Sequence, residues 1–495
     1  MKKSTLFILF IIIFAGCSRD IPGWFHEYPH DHGDIVSISL RYETGSALEN
    51  HSNNGINRLT VNTVLNTSSQ NYSKDEIHRG LMNMAISEAV IPDVYVSTFI
   101  FRFHHDHFNA WFSLFADRLK HPLFLQDEMD VLAGDYKNDL EQRILFRSED
   151  LSRDILIRTL FKDHPYESLP AGNPAAFSKF TSDDLKQWWK SHFSVNNLEI
   201  AVSGPLSQEE KTKLMELIDS FNPYVYPDNI KITEPDQSEG VRYVLVDNSD
   251  GVSALSLGWH IPYNRSDPEF YPLWIFASWL GEHRTFYGHL MKELRVKRGF
   301  NYGDYAYAEH FVQNSYSVFP HPGHPLNYQY FSVWVRPLNN QNLPFALRLV
   351  LHDLEQLKKT GLDSVSFEGT RTFLKSYINL YAGSQADFMG FNQDARFYGL
   401  KNFPESTLKM LDSLDFETAN EIIKNSIDIE NLAIVVVGGE TDSLMKIIRS
   451  GARTDPVYKS SVPRDVRDRD KIISVYPFPE GKVETFSPSD FIMHK

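Results

Sequence analysis

Residues 194–204 read SVNNLEIAVSG, and residues 428–438, an offset of 234, read DIENLAIVVVG. Asn197/Asn431, Leu198/Leu432, Ile200/Ile434, Val202/Val436 and Gly204/Gly438 recur in register. Each stretch alternates or runs apolar as a half or fully buried strand does. Each also follows an amphipathic helix, expected over Ser182–His192 in the first copy and Phe416–Ser426 in the second. Thr181-Ser182-Asp183-Asp184 supplies the small polar and acidic residues that open such a helix. A self-match at this offset predicts two similar halves of about 220 residues each. Strand and helix patterns alternate in both halves and the strands look antiparallel, so the expected fold class is α+β rather than doubly wound α/β.

The rest of the chain is arranged around those halves. The first half is expected over 34–223 and the second over 241–453, opening with YVLVDN and SALSLGWHIP. Residues 224–240, rich in Pro, Asp and Glu, read as a linker. The tail 454–495 is polar and charged and reads as a solvated extension, although residues 472–476 (IISVY) have the composition of an added strand. A length of 495 residues exceeds what one core supports, in agreement with two domains. The formal net charge of −15, without basic clusters, argues against nucleic acid and against strong attraction to anionic lipid.

The N-terminus reads as a processing signal. Lys2 and Lys3 precede the apolar run 6–14, and Phe14-Ala15-Gly16-Cys17 resembles a bacterial lipoprotein box. That run is far short of the ~20 residues a spanning helix needs, so residues 1–16 are expected to be cleaved. Cys17 is the only cysteine, which excludes an internal disulfide. It would become the acylated end of the mature protein, with residues 17–33 as a tether. More than one acyl chain gives stable membrane attachment, and the expected location is the extracytoplasmic side of a bacterial envelope, at the periplasmic face or the outer membrane.

Residues 41–66 read RYETGSALENHSNNGINRLTVNTVLN. This segment resembles the metal site of the insulinase/pitrilysin-type metallopeptidases, the inverzincins, in which a strand near R-x-G-S precedes a helix carrying H-x-x-E-H. Arg41, Gly45, Ser46 and Gly55 match the surroundings, but the ligand and base positions hold Arg58, Val61 and Asn62. An Arg does not give up its proton to become a ligand, and Val offers no base. The resemblance extends over most of the chain. Residues 119–124 (LKHPLF), 162–166 (KDHPY) and 180–204, then Leu280-Gly281 and 294–302 (LRVKRGFNY), resemble family segments in order and spacing. It implies two homologous halves, each a layered sheet with helices on one face, closing like a clamshell around a peptide chamber.

The resemblance also assigns residues. The family's third zinc ligand is an acidic residue that falls near Asp139, with Glu141 close by; Asp135, Asp139 and Glu141 equally suit an exposed helical face. Arg295 and Tyr302 have the R-x6-Y spacing of the pair that, in family members, reaches the substrate backbone and the developing oxyanion. A guanidinium and a phenol donate hydrogen bonds to carbonyl oxygens there. Such a chain resembles the non-catalytic, substrate-binding subunit of a heteromeric zinc peptidase. Zinc is then expected not here but in a second insulinase-family chain bearing H-x-x-E-H, with a peptide as substrate. The alternatives are a stand-alone peptide-binding or scaffolding lipoprotein, and an active zinc peptidase with an unorthodox site.

Histidine clusters elsewhere read as decoys. His26-Glu27-Tyr28-Pro29-His30 matches H-E-x-x-H, but Pro29 breaks the helix that the motif requires. His104-His105-Asp106-His107 sits where a strand gives way to a helix, with Asp106 as the expected N-cap. His321 and His324 flank Pro322-Gly323 in a loop, and no metal site is expected from any of these.

Overall fold

The computed structural model describes residues 22–29, 33–221, 232–237, 239–248, 252–281, 288–312, 320–381 and 383–492. Cys17, the expected leader 1–16 and most of the expected 224–240 linker lie outside the described residues. Among those described, no helix is long and apolar enough to cross a membrane.

Two sheets carry the molecule. The first holds β1 (Phe25–Tyr28), β2 (Ile35–Tyr42), β3 (Ser87–Pro92), β4 (Ser97–His104) and β5 (Leu198–Ser203), in the order β1-β5-β2-β4-β3. The second holds β6 (Val241–Asp247), β7 (Ser253–Ile261), β8 (Gly303–Tyr307), β9 (Gln329–Leu338), β10 (Ala433–Gly438) and β11 (Gly481–Phe486), in the order β11-β6-β10-β7-β9-β8. With β11 set aside, the two orders superpose strand for strand. β1 runs parallel to β5 as β6 runs parallel to β10, and the other pairs are antiparallel. The repeated segments are β5 and β10, each preceded by its expected helix, Ser182–His192 and Phe416–Ser426. The fold is α+β in two similar halves.

Two stretches depart from their sequence reading. Part of the expected tether is β1, an edge strand whose Phe25 is buried in the first core. It is four residues long, too short for periodicity to be recognised. The tail is not a solvated extension. Its charged run forms the helix Arg464–Ile473, which buries Val466, Asp470 and Ile473. The added strand is β11 beside β6, not residues 472–476.

The halves exchange helices. Ser148–Leu160, from the first half, packs on β7 and β10 of the second sheet, with Ser152 Oγ 2.9 Å from Ser256 Oγ and Leu160 O 2.8 Å from His260 Nε2. Gln385–Phe397, from the second half, packs on β2 and β5 of the first. Ser37 and Ser39 donate to Gln385 and Gln393 at 3.1 and 2.7 Å, and Arg41 Nη1 lies 2.7 Å from Asp394 Oδ1. The two helices begin 237 residues apart, close to the repeat offset. This explains the alternation in β2. Val36, Ile38, Leu40 and Tyr42 face their own core, while Ser37, Ser39 and Arg41 face the other half, and all are buried. Buried polar groups need partners, and the exchanged helix supplies them.

Candidate functional site

The helix Ile56–Asn66 carries the positions where the family places zinc. It starts at Gly55, whose φ of 107° and close approach to Phe177 and Gly172 leave no room for a side chain. Glu49 caps its first turn, accepting from Gly55 N at 2.8 Å, Asn57 N at 2.7 Å and Asn54 Nδ2 at 2.7 Å. Burial nevertheless pushes the Glu49 carboxyl up to about 7, against those hydrogen bonds. A carboxyl raised on folding contributes stability that is full below its unfolded value and is lost as pH rises through about 7. Glu49→Gln should therefore flatten the fall in urea midpoint between pH 5 and pH 8. An unchanged slope would remove Glu49 as its source.

The motif positions do not fit a metal. Arg58 and Asn62 lie one turn apart on the same face, and Val61 is fully buried. The Arg58 guanidinium lies 4.2 Å over the Tyr136 ring and donates from Nη1 to Ala171 O at 3.1 Å. Burial lowers its pKa, opposed by the nearby Tyr136 and Asp139. Asn62 turns its amide back to Arg58 O at 2.9 Å. A fixed organic cation thus takes the place of the ion, and Asp139 contributes charge to it rather than ligation. Asp139 itself is half exposed, 3.9 Å from Arg147 Nη2. Arg41, Gly45, Ser46 and Gly55, the matching surroundings, all have structural partners here, so their presence does not require zinc.

Arg295 and Tyr302 are brought together. Arg295 lies on a π-turn, Met291–Val296, in which Lys297 N–H reaches back to Lys292 O at 2.9 Å. Its guanidinium sits 4.3 Å over the Tyr302 ring and donates to Tyr302 O at 3.2 Å. Tyr302 is 70% exposed. The pair flanks the start of β8, an edge strand. Asp304, just beyond, is pushed up to about 8 by burial, opposed by Asn301 and Arg295.

A cavity of about 360 Å³ lies between the halves. Asp139, Arg143 and Arg153 line it from the first half, and Phe311, Tyr330 and Trp334 from the second. Arg295 and Tyr302 are not among its lining residues. Asp93, His310 and His324 meet in its wall. The sequence reading did not single out Asp93 or His310, and it left His324 as a loop residue. Nothing in local sequence marks the three, because His310 and His324 lie in the β8–β9 connection and Asp93 in the β3–β4 turn of the other half.

The other histidine readings resolve simply. His26 is on β1 opposite Ala201, so its H-E-x-x-H match forms no helix; His30 lies outside the described residues. Burial, with Arg396 nearby, lowers His26 to about 4. At 104–107 the cap is His104, whose Nδ1 accepts from Asp106 N at 3.3 Å, and not the Asp106 side chain. The strand ends at His104, earlier than the Asp106 reading assumes.

Comparison with known proteins agrees with this geometry. Residues 27–168 match the family described as Insulinase (Peptidase family M16), and residues 179–374 match the Peptidase M16 inactive domain. The chain is 21% identical over 410 residues to the non-peptidase homologue YmxG of Helicobacter pylori, covering 81% of this chain and 89% of that one. Its fold is shared with a peptidase M16 inactive domain from Pseudomonas fluorescens, at a TM-score of 0.73 and 18% identity over 83% of this chain and 94% of that one. A protease from Helicobacter pylori shares it at a TM-score of 0.70 and 14% identity, over 83% and 96%. With two halves of one topology and a motif helix bearing Arg58, Val61 and Asn62 where the metal set would be, the chain belongs to the insulinase family, M16, as a non-peptidase homologue.

Proposed function

We propose that this chain is the non-catalytic, substrate-binding subunit of a heteromeric zinc peptidase, lipid-anchored through Cys17 and acting on peptides outside the cytoplasm. The observation that carries the reading is the contrast between two positions. At the motif helix the Arg58 guanidinium is turned inward and tied to Ala171 O, which forbids ligation. At β8 the Arg295–Tyr302 pair is presented at the surface beside the edge of the second sheet. The five residues of β8 are buried, so what the pair offers a peptide is the exposed Tyr302 ring and a guanidinium that adds charge-assisted hydrogen bonds to its carbonyls. Zinc would then be supplied by a second chain with an intact H-x-x-E-H helix.

The test is recovery of the tagged, acylated protein from gently solubilised native membranes. A stoichiometric family partner bearing H-x-x-E-H is the expected result, with chelator-sensitive peptide cleavage by the pair and none by this chain alone. Recovery alone or as a homo-oligomer overturns the subunit reading and leaves a peptide-binding or scaffolding lipoprotein. Turnover by the isolated chain would instead make it a peptidase in its own right.

Arg295→Ala separates a binding role from a structural one. Arg295 is half-buried and also donates to Tyr302 O, so folding stability is followed beside binding, with a loss of about 1–2 kcal/mol expected. Losing a charge-assisted hydrogen bond of about 1.5–3 kcal/mol should weaken peptide binding by the subunit about tenfold or more. Unaltered binding would remove Arg295 from the substrate contact.

A further inference from the structure

We propose that Asp93, His310 and His324 form a divalent-metal site, of a kind suited to zinc, that ties the two halves together at the wall of the central cavity. It is separate from the family's motif helix and independent of whether the chain has a partner. Asp93 follows β3 in the first half; His310 and His324 follow β8 and precede β9 in the second. His324 Nδ1 lies 3.2 Å and His310 Nε2 3.6 Å from the same oxygen, Asp93 Oδ1. The three ligand atoms all fall within 4.8 Å of one another. Tetrahedral zinc with bonds of about 2.0–2.2 Å holds its ligand atoms about 3.3–3.5 Å apart. Two of the three separations therefore bracket that spacing, and a small rotation of the imidazoles, whose outer torsion is soft, closes the third.

Three features separate this cluster from an ordinary buried ion pair. His310 Nε2 and His324 Nδ1, which both face Asp93 Oδ1, and the second carboxylate oxygen, Asp93 Oδ2, are buried without a hydrogen-bond partner of acceptable geometry. Buried polar atoms are rarely left so, and two imidazole nitrogens facing one carboxylate share one explanation. The second nitrogen of His310 is held, with Nδ1 3.2 Å from Tyr330 Oη. With Nδ1–H donating to that hydroxyl, the Nε2 lone pair turns toward Asp93, the outer-shell arrangement that orients metal-bound histidines. The backbone beside each ligand is also tied. His310 N donates to Gln329 Oε1 at 2.8 Å, and Gly323 N to the Asp394 carboxylate at 3.0 and 3.2 Å. Ser46 N holds Asp93 O at 3.0 Å.

Two neutral imidazoles and one carboxylate suit zinc better than calcium or magnesium, which prefer all-oxygen sets. Three protein ligands leave a fourth position, and the cavity that these residues line offers it to water or to an oxygen of a bound ligand. Because the ligands come from both halves, the ion would act as a clasp between them.

The experiment uses the full mature chain, stripped with chelator and then titrated with Zn2+ or Co2+ alone. Expected are one tightly bound equivalent, intense tetrahedral d–d absorption with Co2+, and a Zn2+-dependent rise in melting temperature. Asp93→Asn and His324→Ala should each abolish all three, and Tyr330→Phe should weaken binding by about tenfold. His26→Gln with His30→Gln and His32→Gln should change none of them. The Co2+ spectrum of the unaltered chain stands even where a variant folds poorly. No uptake at micromolar metal, uptake unchanged by Asp93→Asn and His324→Ala, or uptake lost only with the N-terminal histidines would each overturn the site. The first of these results would leave the cluster as a protonated His324–Asp93 ion pair.

Discussion

Arg298→Met should cost about 3–5 kcal/mol of stability and release the C-terminal segment from the second half. Arg298 has no exposed side-chain surface and is the hub that holds the helix Arg464–Ile473. Its Nε donates to Asp470 at 3.0 and 3.2 Å and its Nη2 to Asp470 Oδ1 at 2.5 Å. Nη1 donates to Glu293 O at 2.6 Å and to Glu293 Oε2 at 3.0 Å. Burial works against the guanidinium's charge, yet the Asp470 and Glu293 carboxylates hold its pKa above the ordinary value. Removing the guanidinium leaves the buried Asp470 carboxylate to the Tyr458 hydroxyl, whereas Glu293 keeps Lys297 and Arg469. A buried charge without its partner is the costly case; replacing both partners by apolar groups is far milder. Arg298→Met with Asp470→Leu should therefore recover most of the loss. Urea midpoints of the two single variants and the double variant give the coupling directly, and additive losses would show that the pair is not the tie. Early proteolysis after residue 453 in Arg298→Met alone would place the damage in the tail.

Gly45→Ala should cost about 3 kcal/mol, at the upper end of what overpacking usually does. A Cβ at Gly45 would stand 2.3 Å from Val94 O and 2.4 Å from Asp93 O, both backbone atoms that no side-chain rotation can move. Ser46 N and Ala47 N already bind Asp93 O and Val94 O at 3.0 and 2.9 Å, so the two segments run in direct backbone contact. The turn at 93–94 must shift, and it carries the Asp93 carboxylate with it. Gly134→Ala is the control. Gly134 lies in the helix Gln126–Phe146 with nothing within 4 Å of an added methyl, and the change should stabilise by up to about 1 kcal/mol. Equal urea midpoints for the two variants would refute the close-approach argument.

The family-like surroundings of the motif helix acquire a physical reason from these contacts. Arg41 reaches Asp394 across the halves, Gly45 admits the 93–94 turn, Ser46 Oγ donates to Ser168 O, and Gly55 lies under Phe177. Each serves packing between segments, a role that does not depend on zinc ligands. Arg58, Val61 and Asn62 have no such obligation to metal chemistry; their contacts are those of an ordinary helix face with one stacked cation.

From sequence alone came the two-half organisation, the α+β class, the β5/β10 repeat with its helices, and the absence of zinc ligands at the motif positions. The first three are written in local periodicity; the last follows from the family resemblance, which says which positions to read. Tertiary structure alone decided the rest. β1 joined the first sheet because a parallel partner, β5, was waiting for four residues too few to show a period. The tail became a helix and a strand because Arg298 and the β6 edge receive it. Ser37 and Ser39 alternate as a solvent-facing row would, yet an exchanged helix from residues 385–397 buries them. Asp93, His310 and His324 meet only when the halves dock, since their separation in the chain is set by no repeat and their approach by packing between distant loops.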